Sequence, residues 1–439
     1  MIDNLLSPYH ERLKSLCPFR VSGAVTEVVG LLITSQGPWL SVGGVCEVHP
    51  LDGGSPALAE VVGFRGEKTL LMPLGDLRGV APGSKVVVRT KEARYPVGEG
   101  LLGRVIDGLG RPIDGKGNIA APYAYPLYTP VSSPLDREEI KEPLDFGIRA
   151  INGMLTCGKG QRVAILAGSG VGKSTLLSMI ARHTRADVKV IALIGERGRE
   201  VQEFVEKGLP QEERETVVVV AATSADHPLV RVRGAFIATT IAEYFRDKGQ
   251  DVLLLMDSLS RLAMAQREVG LAAGEPPSTK GYTPSVFALL PRLLERAGTW
   301  KGKGSITGLY TVLMEGDDPL EPISDVARSL TDGHIYLSRG LAEQGHFPAI
   351  DVLSSVSRVR TRVTSPELQS RVAEVVRYLA AYREAEDFIK IGAYVTGKNP
   401  DVDRAVQLKP KIRQYLCQGE FESVSLEASV KGLAEMLAP

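Results

Sequence analysis

Four cysteines in 439 residues, scattered as Cys17, Cys46, Cys157 and Cys417, leave no close pairing of metal-ligand spacing. A disulfide framework or a zinc site is not expected, and reduced thiols suit a cytoplasmic chain. Charge of one sign is missing too: 52 Lys+Arg balance 52 Asp+Glu. That balance argues against a broad nucleic-acid footprint. Aromatics make up only 6% of the chain, and residues 20–90 hold just Trp39 and Phe64, too few for a face that stacks on single-stranded bases. Long apolar runs are absent. The stretches VVVVAA at 217–222 and VLLLM at 252–256 are far too short to span a bilayer. The opening MIDNLLSPYHERLKSL carries charges where a signal peptide needs an apolar run. Membrane association would therefore come only peripherally, through partners.

What is present is a multi-domain pattern, since the length suggests two or three domains and 44% hydrophobic content is enough for a large core. Residues 1–19 alternate apolar and charged positions, as a short amphipathic helix does; a helix capping the next domain and a partner-binding segment are equally compatible with it. Residues 20–92 read as short Val/Leu/Thr-rich strands cut by glycine and proline, the pattern of a small β-barrel. A Gly/Pro-rich passage, GEGLLGRVIDGLGRPIDGKG, follows. From about 160, apolar runs such as QRVAILAG, VKVIALIG, TVVVVAAT and DVLLLMDS alternate with helical segments, which predicts a parallel sheet covered on both faces. The α/β domain is placed at 93–360. The stretch 361–439 reads as helical, with no comparable strands.

Within the α/β region, AGSGVGKST at 167–175 lies between a strand and a helix. Such a loop surrounds phosphate oxygens with backbone N–H groups and a helix N-terminus. Gly168, Ser169, Gly170, Val171 and Gly172 would form the cradle, with Lys173 neutralising phosphate charge. The Ser174 hydroxyl would ligate Mg²⁺, and Thr175 would add a phosphate contact. The first motif position departs from glycine, being Ala167. Asp257 ends the strand of DVLLLMDS; it could hold the metal or cap the next helix. Glu196, in ALIGERGREV, follows another buried-type strand and would reach the same carboxyl edge. It could orient a water for attack on a γ-phosphate. It could equally be a helix-start charge paired with Arg197 and Arg199. Arg358, in DVLSSVSRVR, reads by itself as a surface arginine.

Taken in order, LLGRVIDGLGRPIDG, AGSGVGKSTLL, IGERGREVQEF, PRLLERAG, TVLMEGDD, PISDVARSLTDGHIYLSR and HFPAIDVLSSVSRV resemble the flagellar and type III secretion export ATPases, relatives of the rotary ATP synthase catalytic subunit. GFRGEKTLLMPLGDLRG is closer to the flagellar branch. The resemblance implies a β-barrel, a RecA-like ATPase domain and a short helical C-terminal domain, assembled as a homohexamer with MgATP at subunit boundaries. It implies a cytoplasmic ATP hydrolase, at the inner-membrane export apparatus, that energises protein export. By position it makes Glu196 the water-activating carboxylate, Lys173 the phosphate lysine and Arg358 an arginine finger. Arg197 is implied beside the carboxylate, Ser174 and Asp257 at the metal, Arg261 as a weaker phosphate contact and Tyr394 in the adenine pocket or the core. The implied partners are a stator protein at the N-terminus, a central stalk near GEPPSTKGYTPS (274–285), the export gate and chaperone–substrate complexes, without nucleic acid. An RNA-stimulated translocase resembling Rho and a rotary synthase subunit are the competing readings. A non-catalytic ring subunit is disfavoured by Glu196.

Overall fold

The computed structural model describes residues 21–129, 133–210, 213–318 and 320–438. The amphipathic stretch 1–19 lies outside them. The chain divides into two compact units, Met1–Arg94 with Leu271–Glu275, and Tyr95–Gly270 with Pro276–Pro439.

In the first unit, β1 (Ser22–Val29), β2 (Leu32–Gln36), β3 (Val45–His49), β4 (Ala57–Arg65), β5 (Lys68–Pro73) and β6 (Lys85–Thr90) close a barrel in the order β1-β2-β5-β4-β3-β6. Every neighbouring pair is antiparallel. Alternate residues, among them Val25, Ile33, Cys46, Val61, Leu71 and Val86, fill its interior. Closure leaves no strand edge unpaired, so a short, glycine-punctuated sequence forms a stable sheet.

The second unit opens with β7 (Arg94–Val97), β8 (Val105–Asp107) and β9 (Tyr123–Pro126). Its main strands are β10 (Arg162–Ala167), β11 (Val188–Ile194), β12 (Val217–Ala222), β13 (Val252–Asp257), β14 (Gly298–Thr299), β15 (Ser305–Leu313), β16 (Gly333–Leu337) and β17 (Val356–Ser357). The sheet runs β17-β16-β10-β15-β13-β11-β12-β8, with β14 on β15. From β16 to β8 all pairs on this path are parallel. Strands β11, β12 and β13 are buried at every residue, which explains their unbroken apolar sequences.

Helices α1 (Lys173–His183), α2 (Gly198–Glu203), α3 (Pro228–Asp247), α4 (Leu259–Ala273), α5 (Pro284–Leu294), α6 (Pro322–Leu330) and α7 (Arg339–Glu343) follow or separate these strands. A short α8 (Arg360–Val363) leads to α9 (Pro366–Lys390), α10 (Pro400–Leu416) and α11 (Leu426–Leu437). Each of the last three starts on a polar cap, Ser365, Asn399 or Ser425, whose side chain accepts a first-turn N–H. Val372, Val375, Leu408, Ile412 and Leu433 share one continuous core with Ile165 and Leu177. The helical part is thus fused to the sheet domain by packing. No helix among the described residues is long and apolar enough to cross a membrane.

Candidate active site

Parallel pairing brings the ends of β10, β11 and β13 to one edge of the sheet, so the phosphate loop, Glu196 and Asp257 converge there. Ala167 is the last residue of β10, fully buried, and its carbonyl accepts a hydrogen bond from the Met314 N–H at 2.9 Å. Its methyl therefore packs in the sheet rather than in the cradle, which is why the motif tolerates it. Gly170 and Gly172 adopt φ of 76° and 88°, where an L side chain is strained. Gly168 is needed for a different reason. A Cβ there would stand 1.7 Å from Asp317 Oδ1. Asp317 is held by Arg339, whose guanidinium Nε lies 2.5 Å from its Oδ2 and also donates from Nη2 to the Ser169 carbonyl at 3.1 Å. A brace outside the motif thus grips the loop. Val171 is buried beneath it.

Lys173 opens α1, and its ammonium lies 2.5 Å from Asp257 Oδ1 and 3.7 Å from Glu196 Oε1. Thr311 donates from Oγ1 to the same Asp257 oxygen at 2.6 Å and fixes the carboxylate's orientation. A cavity of about 260 Å³ lies beside this cluster, its walls including Ser174, Thr175, Glu196, Glu200 and Asp257. Glu196 is 8% exposed. Burial, then a hydrogen bond to the Glu200 carboxylate and the nearby Asp257 charge, push its pKa up to about 7, against the pull of Lys173. Glu200 is shifted the other way, chiefly because it accepts that hydrogen bond.

Arg197 is largely exposed and stands 3.9 Å from Glu200, while Arg199 pairs with Glu203. The cation facing Glu196 is Lys173, so the helix-start pairing with these two arginines is not what the fold builds. Arg261 packs over Gly195, beside Glu196, with its charge felt at Glu200.

Tyr394 is not brought to this cluster, and Arg358, expected to act from a neighbouring subunit, lies away from it as well. Tyr394 belongs to the turn between α9 and α10; its one hydroxyl proton is shared between Asp403 at 2.9 Å and the Asn399 carbonyl at 3.2 Å. Arg358 follows β17 and its N–H donates to the Asp332 carbonyl, just ahead of β16. It sits at the amino end of the sheet, level with Arg162, whereas the phosphate loop leaves the carboxyl end after Ala167. Five strand residues separate those levels, about 16 Å. Its side chain is exposed and, among the described residues, pairs with no carboxylate.

Several residues at the site escape sequence reading. Glu200 was legible as the i+4 neighbour of Glu196, but Thr311, Asp317 and Arg339 come from distant strands and loops. The aromatic beside the loop is Phe347: a Cβ at Gly172 would touch its ring at 3.4 Å. Its carbonyl accepts from Gln418 N–H, three residues before Phe421, whose exposed ring lies under the Arg182 guanidinium at 4.6 Å. Ser174 and Asp257 in the cavity wall are hard oxygen donors of the kind that suits Mg²⁺, while among the described residues no group of three or more His, Cys, Asp or Glu is placed to hold a metal by itself.

Comparison with known proteins identifies the family of the three domains. The nucleotide-binding domain of the ATP synthase alpha/beta family matches residues 147–357, and its beta-barrel domain matches 25–90. The C-terminal domain of the type III secretion ATPase EscN matches 364–435. The flagellum-specific ATP synthase of Pseudomonas aeruginosa is 52% identical over 421 residues, covering 95% of this chain and 93% of that protein. The solved structure of assembled EscN from enteropathogenic E. coli superposes with a TM-score of 0.90 at 44% identity, covering 95% of this chain and 100% of that one. EscN solved in complex with its central stalk EscO gives 0.88 at 44% identity, with the same coverage. With barrel, nucleotide-binding domain and C-terminal helices all matched in order, the chain belongs to the family of flagellar and type III secretion ATPases.

Proposed function

We propose that the chain hydrolyses ATP to energise protein export through a flagellar apparatus, with the cavity beside the phosphate loop as the catalytic site. The observation that carries this reading is the buried Glu196, poised near neutral pH in one cavity with Ser174, Thr175 and Asp257. A carboxylate with that pKa accepts hydrogen bonds from a water and orients it in line with a γ-phosphate. Lys173 would exchange its carboxylate partners for phosphate oxygens, and Gly168–Thr175 would cradle the chain of phosphates. Ser174 and Asp257 would hold Mg²⁺, which when bound neutralises phosphate charge. Arg197 and Arg261, at the rim, would steady the Glu196–Glu200 pair. Phe347 replaces Tyr394 as the base-stacking residue in this reading, because its ring flanks the loop.

Arg358 would act from a neighbouring copy in a homohexameric ring. Its position at the opposite edge supports this, since it cannot serve its own chain's loop, and so does the assembled state of the EscN relative. A central stalk would engage residues 274–285, as the family resemblance implies, and the exposed apolar residues Phe388, Ile391 and Val395 at the end of α9 and in the following turn would offer it a further contact. The stator at 1–19, the export gate and chaperone–substrate complexes rest on family resemblance alone. The flagellar branch is favoured over virulence-type secretion by the 52% identity to a flagellum-specific relative. Trp39 in the barrel donates to the Glu67 carbonyl, and nothing in the barrel favours an RNA translocase.

Purified Glu196→Gln protein tests the core of the proposal. It is expected to bind MgATP and to lose turnover; hydrolysis near the wild-type rate would overturn the assignment.

A further inference from the structure

Away from the phosphate cavity, a second pocket of about 230 Å³ opens between the segment 341–353 of the nucleotide-binding domain and helices α9 and α10. Its floor is apolar, with Leu341, Ile350, Leu379 and Ile412 among its walls. One buried polar group in its wall has no partner among the described residues. His346 is 7% exposed, and its Nε2 makes no hydrogen bond. Burial and the nearby Arg413 charge lower its pKa, so the ring is neutral at pH 7 and has hydrogen-bonding capacity to offer. A buried polar atom without a partner is costly, and a ligand group that completes it recovers that cost.

The rim is basic. Lys409 lies over the Tyr382 ring at 3.7 Å and, among the described residues, has no carboxylate partner. Arg413 donates to the Gln344 carbonyl at 2.7 Å and likewise has no carboxylate partner among the described residues. Arg383, by contrast, is committed to Asp351. The lining carboxylates are both paired, Asp351 with Arg383 and Glu386 with Lys390. Two cations without carboxylate partners above an apolar floor, with a neutral imidazole in the wall, select a ligand with an apolar ring body and one acidic group.

The wall that carries His346 also leads to the phosphate loop. The segment 339–347 starts at Arg339, which holds Ser169 and Asp317, and ends at Phe347, which flanks Gly172. We infer that this pocket is a second ligand site, for a small aromatic or alicyclic anion, whose occupancy is transmitted along 339–347 to the nucleotide loop. The site does not depend on the catalytic roles proposed above, because none of its walls belongs to the phosphate cavity.

Anilinonaphthalene sulfonate, an aromatic body with one anionic group, is the probe. Full-length protein saturated with MgADP is titrated with it and fluorescence is read, so that the nucleotide cavity is already filled. Saturable enhancement is expected. Lys409→Glu, an exposed substitution that reverses the rim charge, is expected to weaken binding about tenfold. Leu379→Trp, which fills the pocket, is expected to abolish it. Saturation with the probe is expected to shift the MgADP dissociation constant in the wild type and not in Lys409→Glu at the same concentration. Absence of saturable binding, or a probe dissociation constant in Lys409→Glu equal to that of the wild type, overturns the site. Binding that leaves MgADP affinity unmoved overturns its transmission to the loop. Should Leu379→Trp fail to fold, Lys409→Glu alone decides.

Discussion

The ammonium of Lys173 lies 2.5 Å from Asp257 Oδ1, while Glu196 stands 3.7 Å from the same nitrogen. One cation therefore holds two buried carboxylates together before it meets any phosphate. Lys173→Ala should remove hydrolysis and also destabilise the chain, by about 2–3 kcal/mol, because the carboxylates lose their cation in a site only partly open to water. Denaturant unfolding of the variant checks this; an unchanged midpoint would show that water alone suffices.

Glu196 carries the pH dependence. With its pKa near 7, kcat/KM should rise with pH through that value as the carboxylate forms. Glu200→Gln removes a hydrogen-bonding anion that raises Glu196, so the rising limb should move to lower pH. Stability runs the other way. Between the ordinary carboxyl value of 4.5 and about 7, folded Glu196 keeps a proton that the unfolded chain releases, so stability falls as pH rises through that window. Glu196→Gln should accordingly unfold at a higher temperature than wild type at pH 8, which a thermal melt would read.

Arg358→Ala should bind nucleotide and lose turnover by about a thousandfold if the arginine serves a neighbour's γ-phosphate. Mixing it with Glu196→Gln protein tests the shared site directly. Rings of both variants contain boundaries with an intact Glu196 and an intact Arg358, so activity should reappear on mixing. Two inactive proteins that stay inactive together would place Arg358 outside the reaction.

Phe347→Ala should raise KM for ATP about tenfold with a smaller effect on kcat, the usual loss for a base-stacking ring. Hydrolysis of inorganic triphosphate, which has no base, should be unaffected. Tyr394→Phe should leave both constants near wild type, since its hydroxyl serves only the α9–α10 turn.

Gly168→Ala should weaken nucleotide binding, because the new methyl would displace the Asp317 carboxylate from its place beside the loop. Combined with Asp317→Ala, which clears that space, binding should partly return. Isothermal titration with MgADP across the two single variants and the double variant would measure the coupling.

The barrel, the parallel sheet and the helical end were legible in the chain because each depends on local pattern. Strands buried on both faces need unbroken apolar runs, barrel strands need turns at short intervals, and a phosphate loop needs small residues at close spacing. For the same reason Lys173, Ser174, Glu196 and Asp257 could be picked out beforehand, each standing next to its own strand. Helix caps such as Ser365 and Asn399 lie directly ahead of the helices they start.

Tertiary structure alone decided the rest. It drew Thr311 onto Asp257, Asp317 and Arg339 onto Gly168 and Ser169, and Phe347 rather than Tyr394 to the loop. It also put Arg358 at the far edge of its own sheet. These relations join residues separated by tens to hundreds of positions, and no local periodicity encodes them. They arise from strand order, since β10 lies between β16 and β15, and from the direction each parallel strand runs. The sequence by itself determined which chemical groups were available; packing in three dimensions determined which of them meet.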